Sequence, residues 1–111
     1  MKRALQLLFT GILAAMLWVT TRASLDRSVL AAARDLWNDP WGLATLFDAY
    51  FGFITFLVWL CYKEVRWGPR LAWVLLVLSL GNIAMAGYLL RELARLGPGD
   101  PWERVLLRRP A

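Results

Sequence analysis

The 111-residue sequence contains no histidine and a single cysteine, Cys61. Without histidine there is no imidazole base, no Ser–His or Cys–His nucleophile, and no ordinary zinc, copper or haem site. A lone cysteine makes no internal disulfide, and inside an apolar run it reads as a small buried hydrophobe. Acids are scarce and scattered, 8 against 13 lysines and arginines. No metal set and no cofactor is therefore expected. There is no glycine-rich phosphate loop either, because Gly97 and Gly99 flank a proline in what reads as a turn.

Apolar residues are abundant, at 59% of the chain. Soluble domains hold roughly 45–50%, and a chain this short cannot bury such an excess in its own core. The basic residues flank the apolar runs instead of gathering on one face. That is the habit of a protein whose ends meet lipid headgroups, so membrane lipid is an expected partner and nucleic acid is not.

Three runs are long enough to cross a bilayer core of roughly 30 Å, which takes about 20 residues. They cover residues 4–21, 40–62 and 71–90. "NDPW" supplies the second with an N-cap, Asp39, and a proline at the first helical position, Pro40. "RWGPR" separates the second run from the third, and "GPGDPW" follows the third. Trp18, Trp37, Trp41 and Tyr88 are expected at one membrane surface, and Trp59, Tyr62, Trp67 and Trp73 at the other.

Between the first two runs, "SLDRSVLAAARDLW" (24–37) places Leu25, Val29, Ala32 and Leu36 on one helical face, which reads as a short amphipathic helix on the bilayer surface. In the tail, 97–111, Asp100 and Glu103 resemble a capping box and predict a short surface helix over about 101–108. The expected fold is all-α and a single domain: a membrane-embedded three-helix bundle with one interfacial helix between spans 1 and 2 and a short C-terminal surface helix. Lys2 and Arg3 before an apolar run, with "TRA" ahead of Ser24, also resemble a signal peptide. The run is long for one, and Thr10, Gly11, Ala14 and Ala15 look like packing residues, so it is read as a span. The N-terminus is expected in the cytoplasm, with the tail across the membrane.

Asp48 lies about two turns inside the second span, where an unpartnered acid costs about 2.5–3.5 kcal/mol. Gly52, Thr55, Trp59 and Tyr62 share its face, a polar and small stripe that should meet neighbouring helices. The third span offers Asn82 at a similar depth, so an Asp48–Asn82 contact is the expected centre of a polar seam. Asp48 is either hydrogen-bonded glue or an acid that orients a ligand or handles a proton. Glu64, roughly 24 Å from Asp48 along the helix, either pairs with Lys63, Arg66 or Arg70 or helps its basic neighbours hold a headgroup.

"DPWGLATLFDAYFGFITFLVWLCYKE" resembles the signature of a family of small bacterial membrane proteins of unknown function. In such proteins an aspartate opens the second span and a "W-x-x-x-K-E"-like element closes it, here Asp48, Trp59, Lys63 and Glu64. The resemblance implies a multi-pass protein of the bacterial inner membrane and supplies no catalytic assignment. The three-span size is also similar to that of heterodimeric carotenoid cyclase halves, but their "P-x-E-E" element is absent.

Three functions compete. The leading one is a non-catalytic membrane subunit, scaffold or assembly factor with a protein partner or a second copy of itself. The alternative is a lipid- or isoprenoid-binding protein, with Asp48 as a candidate acid catalyst among aromatics. The third is an oligomeric ion or proton pathway, which three helices enclose only in several copies.

Overall fold

The structure is a computed structural model and describes residues 1–108. It is all-helical: α1 Lys2–Asp26, α2 Val29–Asn38, α3 Pro40–Lys63, α4 Trp67–Leu80 and α5 Asn82–Ala94, followed by a 3₁₀ turn, Trp102–Leu106. The expected tail residues Arg109, Pro110 and Ala111 lie outside the described residues.

Two helices, α1 and α3, are long and apolar enough to cross a membrane by length and composition. α1 outruns its expected end at Thr21 and absorbs Ser24 to Asp26 before the chain turns. Ser28 then caps α2, its hydroxyl accepting from the Ala31 N–H at 3.2 Å. An Arg27–Asp35 ion pair straddles the turn. Asp39 caps α3 as expected, its carboxylate accepting from the Gly42 N–H at 2.7 Å, with Pro40 in the first turn. Gly42 lets α2 end against α3, since a Cβ there would stand 2.6 Å from the Leu36 carbonyl oxygen.

The expected third span, 71–90, is not one helix. It breaks at Gly81, whose φ of 58° and ψ of −124° suit glycine. The chain then folds back. Trp73 and Tyr88, roughly 22 Å apart had the helix continued, have ring centroids 5.0 Å apart. α4 and α5 thus form a hairpin of 14 and 13 residues. Its arms are each roughly 20 Å long, short of a roughly 30 Å membrane core. The tip meets the middle of α3: a Cβ on Gly81 would lie 2.7 Å from the Phe53 ring, and the Tyr50 hydroxyl donates to the Leu78 carbonyl at 3.2 Å.

The hairpin covers the C-terminal half of α3. Leu57, Leu60, Val77, Ala84 and Tyr88 form the buried cluster, with Phe53, Phe56, Trp59 and Trp73 packed around it. Tyr88, fully buried, takes edge-on contacts from Phe56, Trp59 and Trp73. It therefore lies in the core and not in the aromatic belt expected of it. α1 lies along α5, with Leu5 and Phe9 in the same groove as Leu89 and Trp102.

That groove carries a second correction. The tail returns to the end where α1 begins and α3 stops, not to the opposite end. The Trp59 indole donates to the Leu106 carbonyl (3.0 Å), and Arg108 Nε to the Tyr62 carbonyl (2.6 Å). The expected capping box is also replaced. Asp100 accepts from the Gly97 N–H (2.8 Å) and from Arg104 (2.9 Å), which closes the "GPGD" turn.

Candidate functional site

α3 carries two contrasting faces. Phe53, Leu57, Leu60 and Glu64 lie beneath the hairpin. The stripe of Asp48, Gly52, Thr55, Trp59 and Tyr62 lies about 150° away round the helix, nearly on its opposite side. Only Trp59 of that stripe is partly covered, and the others are exposed. Thr55 bonds back to the Phe51 carbonyl at 2.9 Å, and a Cβ on Gly52 would meet nothing within 4 Å. Asp48 is exposed and makes no hydrogen bond or ion pair among the described residues. Asn82, exposed at the hairpin tip, is not its partner. The break at Gly81 explains the separation, because the depth match assumed a continuous third helix.

Polar groups converge at the other end of α3. Lys63 Nζ lies 2.7 Å from Glu92 Oε1, with both side chains at 3% exposure or less. The same ammonium donates to the Leu107 carbonyl at 3.4 Å. One residue on, Glu64 is 5% exposed and its Oε1 accepts from the Tyr88 hydroxyl at 3.0 Å. Arg91 bridges the two acids at 4.0 Å from each, and Arg95 lies 3.6 Å from Glu92 Oε2. Arg70 reaches the Glu64 backbone carbonyl at 2.7 Å, not its carboxylate. Among the described residues the Glu64 carboxylate meets Tyr88 and, at 4.0 Å, Arg91, both on α5 and neither of them among the partners expected for it.

Trp59, Lys63 and Glu64 thus all serve one junction: Trp59 and Lys63 hold the tail, Lys63 holds α5 and Glu64 holds Tyr88. Sequence reasoning missed Glu92, Tyr88 and Arg91. Their signal was present in "YLLRELAR", where Tyr88 and Glu92 are four apart on one helical face. A continuous third span hid it by carrying Glu92 away from Lys63.

Buried ions in a low-dielectric setting hold only if they are paired and hydrogen-bonded. Here no buried side-chain polar atom lacks a partner among the described residues. A matched cluster of that kind locks elements together. Three or more histidine, cysteine or acidic residues placed to hold a metal ion do not occur among the described residues.

Fold and site together define a class: a small all-helical protein with two helices of membrane-crossing length, braced at one end by a buried Lys63–Glu92 ion pair. Within that class, the chain belongs to the family described as Protein of unknown function (DUF1475), which matches residues 4–110. No curated protein and no solved structure matches it.

Proposed function

We propose that this chain is a non-catalytic subunit or assembly factor of a membrane complex, and that it docks a helix of its partner along the Asp48 stripe. The observation that carries the reading is the exposed Asp48, without a partner among the described residues and roughly 12 Å inside α3 by helix rise. An acid at that depth is costly in lipid and is met by a neighbour. Gly52, one turn on, has the open space a close helix needs.

Membrane insertion is part of this reading. The longest dimension is 49 Å, against about 40–45 Å for a bilayer with its headgroups. Hairpins of half-membrane length are tolerated where protein covers their irregular backbone, and the Gly81 tip packs on Phe53. Arg22, Arg27 and Arg34 are the basic residues at the α1–α2–α3 end, and every other described lysine and arginine belongs to the Lys63 end. The positive-inside rule then puts the N-terminus, the Lys63 end and the tail together in the cytoplasm. The acid-catalysis alternative gains no support from the aromatic recess nearest Asp48. That recess is lined by Trp37, Leu46, Phe47, Tyr50 and Phe51, without the acid.

The test compares wild type, Asp48→Asn and Asp48→Leu, each taken from its native membrane directly into nanodiscs. Wild type and Asp48→Asn should carry the same partner or copy number, because an amide still hydrogen-bonds. Asp48→Leu should lose it. A lone wild-type chain, or a loss already complete in Asp48→Asn, would sink the reading.

A further inference from the structure

The Lys63 end also holds a recess of about 290 Å³ beneath the tail. Lys63, Arg95, Arg104 and Arg108 line it, against two carboxylates, Glu92 and Asp100. Both acids are already engaged, Glu92 by Lys63 and Arg95, and Asp100 by the Gly97 N–H and Arg104. The cations have capacity left. A guanidinium offers five N–H donors. Arg108 gives its Nε to Tyr62 and lies over that ring at 5.2 Å, while its terminal nitrogens donate to nothing among the described residues. Arg95 and Arg104 are half-exposed. The excess charge suits a phosphate ester and leaves no free carboxylate for a choline.

A second hollow abuts the first. An apolar groove of about 300 Å³ runs between α1 and the tail, lined by Leu5, Phe9, Phe56, Trp59 and Leu89 among others. Val105 lines both hollows. A basic recess beside an apolar groove at the end of a membrane-length helix matches a headgroup beside its acyl chain.

We propose that this junction binds one anionic phospholipid, its phosphate held by Arg95, Arg104 and Arg108 over Lys63 and an acyl chain laid in the Leu5–Phe9–Leu89 groove. The proposal rests on membrane insertion but not on docking at Asp48.

The full-length chain is placed in nanodiscs of equal phosphatidylcholine and phosphatidylglycerol and released gently, and the retained lipids are counted by native mass spectrometry. Wild type should keep phosphatidylglycerol selectively. The Arg104→Gln/Arg108→Gln pair should lower that preference about fivefold per arginine, and Arg34→Gln, at the opposite end, should leave it unchanged. The double variant also removes the Arg104–Asp100 contact in the tail, so wild-type selectivity is read first. Equal retention of the two lipids overturns the proposal. So does displacement of the lipid by millimolar inorganic phosphate, which would make this a free-anion site. So does an equal loss in Arg34→Gln. A chain that enters no disc overturns the membrane reading and this proposal with it, whereas insertion without preference overturns this proposal alone.

Discussion

The two ends of α3 solve the same problem in opposite ways. Both carry polar groups on a helix that is otherwise apolar. At the Lys63 end the fold supplies the partners itself, from α5, the tail and the arginines around them. At the Asp48 end the acid itself has no partner among the described residues, and all of its stripe but Trp59 is exposed. The difference comes from the Gly81 turn. A hairpin only 14 residues deep brings Tyr88 and Glu92 back to Lys63 and Glu64, and its tip meets α3 at Tyr50 and Phe53, beyond the exposed Asp48. Closure of one end and exposure of the other are consequences of the same glycine.

The largest expected effect breaks the closed end. Glu92→Ala strands Lys63 as a buried cation and should cost about 3–5 kcal/mol of stability, read as a lowered thermal midpoint in detergent. Lys63→Met with Glu92→Leu removes both charges at similar volume and should recover most or all of the loss. A double variant as unstable as Glu92→Ala would mean that the pair acts through something other than matched charge.

Gly81→Ala comes next. A Cβ there meets the Phe53 ring at 2.7 Å and must adopt a φ of 58°, so roughly 1–3 kcal/mol should be lost. Adding Phe53→Leu should recover only the steric part. Full recovery would mean that the backbone conformation is unstrained. At the open end, Asp48→Leu should leave the isolated chain within about 0.5 kcal/mol of wild type, as surface changes do, while abolishing association. A large loss of stability in the lone chain would show that Asp48 has an internal partner and would erase the contrast between the ends.

The sequence was legible where local chemistry decides. "NDPW" marked the Asp39 cap and Pro40 start of α3, and the apolar runs marked α1 and α3 as long helices. The "W-x-x-x-K-E" element pointed to Lys63 and Glu64, which are both buried. What could not be read was the reversal at Gly81. A glycine within an apolar run is compatible with a continuous helix at a cost of about 1 kcal/mol, so local propensity does not distinguish the two paths. The choice is made by distant groups: Tyr88 by Glu64 and its aromatic neighbours, Glu92 by Lys63. Missing that reversal also misplaced the tail, since a third full span would have carried it to the opposite end.

The smallest expected effect sharpens the comparison from the tail, which closes the Lys63 end from outside. The Asp100 carboxyl is held below its ordinary value of 3.8, first by the Gly97 N–H and also by Arg104, against the opposing effect of burial. A carboxyl depressed in the folded state contributes fully above its unfolded value and loses that contribution as pH falls through the folded value. The "GPGD" turn should therefore hold at neutral pH and loosen only below about pH 4. Trp102, two residues on, reports the change by fluorescence. Asp100→Asn should remove the transition because an amide does not titrate, while the remaining carboxylates are common to both proteins. An identical acid transition in the two would assign it to those other groups. Loosening confined to wild type would show that the Asp100 carboxylate fastens the turn that leads into the tail, a hold added to those of Trp59 and Lys63.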